Sequence, residues 1–350
     1  MKKLLLASVA VSGLAFAAPA HADIDLEVGG YFKGYGAFVD QDEGTGVDVN
    51  EFDIIRDTEI HVDGATTLDN GLTVGAHFEF EVDQADSSVG TDESYVYFSG
   101  DWGRVNFGGE DGAAYLLQVA APSADSNVDG LRQFVSPFNN TGGIQTADTA
   151  VNTRLDYDMN PTGKADKFTY LSPIFSGFQA GLTFSPDTDA ASSFQVGTEG
   201  QIDETYEVAL RYEGQFENVG VIAGAGYSHG ENNNTGANQD DRQVWNVGLD
   251  LDIGPFGIGA IYMDDTTAVD NADIETFVVG ADYTTGPFKL GVSYLNEDQD
   301  GGVENDRYTG GVTYEYGPGM SFRGSIQQLE TDGATDGDGT ALLLGTQINF

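Results

Sequence analysis

The side chains able to do chemistry are few, and their spacing limits what they can do. Cysteine is absent, so there is no thiolate nucleophile, no thiolate metal site and no disulfide framework. Beyond residue 22 the histidines are His61, His77 and His229, and no nucleophile motif flanks any of them. A hydrolase, and enzymatic catalysis generally, therefore has no foothold in the sequence. The stretch from Asn296 through Asp298 and Asp300 to Gly301 copies the first half of a calcium-binding loop, but Arg307 stands where a bidentate Glu is required. The reading is a solvated acidic surface that collects Ca2+ loosely, with no fixed metal site and no cofactor. What remains is charge: 57 acidic residues against 14 basic ones, a formal net charge of −43. Nucleic acid is excluded as a partner, because phosphate binding needs a basic face.

The charges alternate with apolar residues at single-residue spacing. Lys33 stands between Phe32 and Gly34, Arg104 and Asn106 flank Val105, and Arg211 lies between Leu210 and Tyr212. Arg323 follows Phe322, while His77 and Glu79 interleave with Phe78 and Phe80. Arg242, Lys289 and Arg307 take the same polar parity. This is the period of an extended strand with one charged and one apolar face. Arg56 breaks the pattern, since Ile54, Ile60 and Val62 assign it to the apolar face, where a charge is tolerated only at a rim or a subunit contact.

Such faces need strands to carry them, and strand signals recur along the chain. Short turns at 68–71, 101–103, 172–177, 253–257, 284–288 and 316–319 alternate with longer acidic stretches at 40–48, 83–94, 230–242, 296–306 and 331–340. Short turn, long loop, short turn is a repeated hairpin, and about 16 strand segments can be placed. Phe and Tyr cluster near strand ends, at Tyr95, Tyr97 and Phe98, at Phe288 and Tyr294, and at Tyr314 and Tyr316, as interface girdles do. No run of ~18 apolar residues exists for a helical span, but a barrel strand needs only about 9–11. A soluble sandwich would show the same alternation, yet so long an open series would leave unpaired edges that closure removes. Residues 1–22 read as a secretory signal peptide, with Lys2 and Lys3 before an apolar run and Ala20-His21-Ala22 at the cleavage site. The barrel domain is then 23–350. Removing the signal takes away two lysines and no acid, so the formal charge moves from −43 to −45.

The stretches TTLDNGLTVGAHFEFE (66–81), DESYVYFSGDWGRVNFGGED (92–111) and YLSPIFSGFQAGLTF (170–184), with the terminal Phe350, resemble the Gram-negative general porins, of the alphaproteobacterial type. The resemblance implies an all-β, 16-stranded antiparallel transmembrane barrel in the outer membrane. It implies a homotrimer in outer-membrane lipid and a long third extracellular loop folded inward, here roughly 109–165. It implies passive diffusion of small hydrophilic solutes and ions, and Phe350 as the signal read by the barrel-assembly machinery. The last strand, with Leu342, Leu344, Thr346, Ile348 and Phe350 on one face, must then pair with the first, 25–39. Lys33, Arg104, Arg211, Arg323, His77 and Glu79 become pore-lining residues, and Glu110, Asp111, Asp125 and Asp129 of the loop supply an acidic side facing the basic wall. Opposed charges across a narrow passage would orient dipolar solutes. The excess of acid around the mouth leads to an expectation of mild cation selectivity. A substrate-selective channel of the same fold, and a non-conducting structural or adhesive barrel, are the competing readings.

Overall fold

The computed structural model describes residues 24–83, 89–123, 130–144, 155–188, 202–233, 240–267 and 272–350. Residues 1–22, expected to be a signal peptide, and Asp125 and Asp129 lie outside these. Along the chain run β1 (Asp25–Gln41), β2 (Phe52–Thr67), β3 (Thr73–Glu81), β4 (Gly90–Gly100), β5 (Gly103–Gly109), the short helix α1 (Ala113–Leu116), β6 (Asp166–Leu171), β7 (Phe178–Ser185), β8 (Ile202–Phe216) and β9 (Val219–Asn232). Then follow β10 (Arg242–Ile253), β11 (Phe256–Asp265), β12 (Ile274–Thr285), β13 (Phe288–Gln299), β14 (Glu304–Gly317), β15 (Met320–Asp332) and β16 (Gly337–Asn349).

Each strand pairs antiparallel with its sequence neighbours, and β1 pairs with β16, closing a 16-stranded barrel. Closure removes every sheet edge. The seam runs from Tyr31 opposite Asn349 to Gln41 opposite Gly339. At its end the Phe350 N–H donates to the Gly30 carbonyl at 3.1 Å, and the Gly30 N–H donates to the Phe350 carbonyl at 3.0 Å. Gly30 tolerates this place because it has φ of +153°, and a Cβ there would lie 2.2 Å from the Glu59 carbonyl oxygen.

Alternation sorts the two faces. Phe32, Phe38, Leu182, Leu210, Leu249, Ile258, Leu290, Val312, Leu342 and Leu344 are exposed on the outside, while Lys33, Tyr35, Ala37, Asn246, Gln327 and Leu343 on the other parity are buried. The outer aromatics form two bands. Phe184–Tyr206, Trp245–Tyr262 and Tyr294–Tyr308 pair across strands in one band. Phe178–Tyr212, Phe256–Tyr283 and Phe288–Tyr314 pair in the other, beside the short turns. On β8, β11, β13 and β14 the members of the two bands are six residues apart, or ~20 Å of strand. Two aromatic girdles around an apolar belt are what a membrane-spanning barrel presents to lipid.

Two expectations need correction. Tyr95 and Tyr97 are not girdle residues: the exposed outer residues of β4 are Val96 and Phe98, and both tyrosines lie on the inner face beside Arg104. The acidic stretches 296–306 and 331–340 are not long loops either. Most of each is strand, leaving Asp300–Val303 and Gly333–Asp336 as the turns. The backbone ladder continues past the apolar belt with polar residues on both faces, which composition alone reads as loop. The half-motif from Asn296 is therefore strand and turn: Asn296 Nδ2 donates to Glu304 and Asp306, both at 3.1 Å. The turn at Glu217, with φ of +52°, contains neither Gly nor Pro, and Asn218 is its one turn-type residue.

Residues 110–165 join β5 to β6, and 110–123, 130–144 and 155–165 fold inward. Their described part touches the inner face nearly all the way round. Val119 meets Gly224 of β9 and Gly248 of β10, Pro122 meets Gly259 of β11 and Gly280 of β12, and Phe138 meets Gly339 of β16. Only a segment inside a closed wall has this reach. The seats are made by glycine: a Cβ on Gly248 would lie 2.9 Å from the Val119 Cβ, and one on Gly280 would lie 2.0 Å from the Pro122 carbonyl oxygen. The barrel therefore contains an apolar core. Ala114, Phe138, Ile144, Leu155 and Met159 of the segment pack with Val244, Ile261, Val278, Leu295 and Leu329 of the wall. Polar parity alone did not predict that; those wall positions are inward yet apolar because the segment covers them.

Candidate functional site

Three basic residues of the wall, Arg211, Arg307 and Lys33, contact the inserted segment. Arg211 on β8 donates from Nη1 to the Gln118 carbonyl at 2.9 Å, and Arg307 on β14 donates to the Leu155 carbonyl at 3.4 Å. The Lys33 ammonium on β1 lies 3.7 Å from the Tyr31 ring centroid and also over the ring of Phe134 from the segment. Arg104 on β5 donates to Asn106 at 2.6 Å and covers the Tyr97 ring at 4.0 Å. Arg323 donates to Ser321 at 3.1 Å. At the rims Arg242 forks onto Asp265 at 2.5 and 3.0 Å, and Lys289 pairs with Asp282 at 2.9 Å. Arg56 faces outward near the start of β2 and pairs with Asp83 at 2.6 Å, which places it by the rim where its cost is smallest.

Glu110 and Asp111 lie at the root of the segment, both buried. Asn106 Nδ2 donates to Glu110 at 2.5 Å, linking it to Arg104 through one amide. Burial pushes the Glu110 carboxyl up to about 7. Asp111 accepts from Asn160 at 2.6 Å and pairs with Lys164 at 2.9 Å. Lys164 also reaches Asp92 at 3.6 Å and pairs closely with Glu93. Burial works against its charge, but Asp111, Glu93 and Asp92 outweigh that and raise its pKa. Glu110 and Asp111 thus bond within the root of the segment, beside Arg104, instead of facing a distant basic wall.

The inner face of β2–β4 is different. Glu59, His61 and Asp63 of β2 face His77, Glu79 and Glu81 of β3 in register, and β4 adds Asp92 and Glu93. Two consecutive residues both point inward because the β3–β4 ladder is bulged. Phe78 pairs with Ser94 and Phe80 with Thr91, so Glu79 alone opposes Asp92 and Glu93. A two-against-one bulge re-aims side chains in this way. His77 bonds Asp63 at 2.6 Å and Glu79 at 2.8 Å, and His61 bonds Glu59 at 3.0 Å. His77 and Glu79 are where parity assigned them. Glu59 and Asp63 follow from the same parity as His61 but were not singled out. Asp92, Glu93 and Lys164 had no local signal.

A closed barrel with an apolar, double-girdled exterior and a charged interior is a membrane-spanning β-barrel of the pore-forming kind. Comparison with known proteins narrows this. A family model described as Gram-negative porin matches residues 7–334, and the chain belongs to that family. The family and the fold imply a channel in the outer membrane of a Gram-negative cell. The solved anion-selective porin from Comamonas acidovorans superposes with a TM-score of 0.64 at 16% identity, covering 94% of this chain and 100% of that one. A triple mutant of the Rhodopseudomonas blastica porin superposes at 0.59 and 17% identity, covering 93% and 100%. Uncharacterised proteins of Rickettsia conorii and Rickettsia felis are 24% and 23% identical over 213 residues. These matches cover 54% of this chain, and the chain spans about half the length of these curated relatives, 49% and 48%.

Proposed function

We propose that the protein is a homotrimeric outer-membrane porin that passes small hydrophilic solutes and ions by diffusion, with no catalytic step and with mild cation preference. The observation carrying this is the division of the interior. The described part of the inserted segment packs on β7–β16 and on β1, so the proposed water path runs along the acidic face of β2–β4, and that passage is negative. A negative passage concentrates cations and repels anions, and its reach shrinks as salt rises. Lys33, Arg211 and Arg307 act the other way, but they are engaged with the segment. The name of the Comamonas porin records the opposite preference for that protein, and the wall chemistry argues against carrying it over.

Planar-bilayer conductance with sized sugars tests the channel, and absence of any ion current from the purified trimer overturns it. The reversal potential across a potassium chloride gradient, at two ionic strengths, tests the preference. Anion selectivity at low salt would show that the basic residues control the pore. A signal peptide at 1–22 and recognition of Phe350 by the assembly machinery belong to the same proposal. Phe350→Ser should lower the yield of heat-resistant trimer by about tenfold, a loss comparable to ~1.4 kcal/mol of assembly free energy, whereas equal yield would remove Phe350 from that role.

A further inference from the structure

We infer that His77, Glu79 and Glu93, with His61 as the adjacent fourth donor, form an inner-wall site for one divalent transition-metal ion of the Zn2+ class. This is distinct from loose collection of Ca2+ by acidic turns. It rests on wall geometry and does not depend on conduction.

His77, Glu79 and Glu93 converge, and His61 adjoins them at Glu79. His77 Nε2 is 2.8 Å from Glu79 Oε1 and 4.0 Å from Glu93 Oε2, and His61 Nδ1 is 3.7 Å from the same Glu79 oxygen. Separations of about 3–4 Å are those that nitrogen and oxygen donors keep across an ion bound at ~2.0–2.2 Å. Each histidine is also oriented from behind. Asp63 holds His77 through Nδ1 at 2.6 Å, and Glu59 holds His61 through Nε2 at 3.0 Å. In both rings the other nitrogen is turned toward Glu79. A carboxylate on the far nitrogen of a ligating histidine is the usual outer support of a metal site. In the metal-free wall His77 meets a carboxylate on each nitrogen, and the ion takes the place of the Nε2 proton, which is released.

Glu93 is prepared in the same sense. Lys164 engages Glu93 through Oε1, leaving Oε2 toward His77. The bulge supplies Glu93 to the inner face at all. Entry is from the water path, since His61 and Asp63 retain 27% and 34% side-chain exposure. Imidazole with carboxylate selects the Zn2+, Ni2+ and Cu2+ class over Ca2+ and Mg2+, which prefer all-oxygen shells.

The test is calorimetric titration of the full chain, assembled in detergent, with zinc chloride and separately with calcium chloride. The expected result is one saturable Zn2+ equivalent per chain that equimolar Ca2+ does not displace. Affinity should fall at least tenfold in His77→Gln and in Glu79→Gln, and roughly tenfold in Asp63→Asn, which touches only the support. Asp300→Asn, on an acidic turn, should leave it unchanged. Visible absorption of the Co2+-loaded chain should report nitrogen and oxygen donors and be lost in the same variants. If His77→Gln fails to assemble, Glu93→Gln and His61→Gln are read in its place. Undiminished Zn2+ affinity in assembled ligand variants, displacement by equimolar Ca2+, or no saturable binding overturns the site.

Discussion

Strands β2–β4 and strands β9–β12 line the same barrel by opposite means. The first group turns Glu59, His61, His77, Glu79, Asp92 and Glu93 inward. The second turns Gly224, Gly248, Gly259 and Gly280 inward, and Val119 and Pro122 press onto them. Where the wall has no side chain, the inserted segment can approach backbone to backbone and bury apolar surface. Where the wall carries a dense set of charges, desolvating them would be costly, and there His61 and Asp63 stay partly exposed while His77 and Glu93 are buried among charged partners. On the proposed function, the path through the barrel is set by what the segment does not cover. Lys164 joins the two regimes, because it belongs to the segment but ends among the carboxylates of β4.

The largest expected effect tests that link. Lys164→Met removes the cation shared by Asp111, Glu93 and Asp92. Breaking a largely buried ion pair from one side costs on the order of 3 kcal/mol, read as a lower midpoint in denaturant unfolding. An unchanged midpoint would mean the segment is held by its apolar contacts alone. On the covered side, Gly248→Leu drives a side chain into Val119. Overpacking of this kind costs about 1–3 kcal/mol, and the conductance should rise as the segment lifts from its seat. A stable variant with wild-type conductance would contradict the seating.

On the wall of β2–β4, the combined change Glu59→Gln, Glu79→Gln and Asp92→Asn should move the low-salt reversal potential in a potassium chloride gradient toward zero, with little change in the yield of assembled protein. A full shift to zero would place the whole preference on this wall, and no shift would place it at the mouth. The smallest effect concerns Glu110. Burial raises its folded value to about 7, above the ordinary ~4.3, so the fold disfavours its ionised form. Its contribution is most favourable at acid pH, declines as pH rises toward 7, and is flat above that. The barrel should therefore melt about 1–3 °C higher at pH 5 than at pH 8 on this account. Glu110→Gln should remove that share of the difference.

Much of the architecture was legible in the chain. Single-residue alternation is local, so it assigned Lys33, His77, Glu79, Arg104, Arg211 and Arg323 to the inner face and Arg56 to the outer one. The short turns and the apolar parity of Leu342 to Phe350 anticipated hairpins and closure, because a strand with one apolar face must find a partner on each edge. Period two, however, does not say which inward residues stay wet. Val244, Ile261 and Leu329 face inward and are dry because described residues of the segment such as Ala114, Ile144, Leu155 and Met159 pack with them, and that contact joins positions far apart in sequence. Asp92 and Glu93 share a face only because one residue of β3 opposes two of β4, a property of the pair of strands that neither shows alone. The sequence by itself determined a closed barrel with a charged lining. The tertiary structure decided that Arg211 and Arg307 anchor the segment, that Glu110 and Asp111 close its root, and that two histidines meet four carboxylates on the wall of β2–β4.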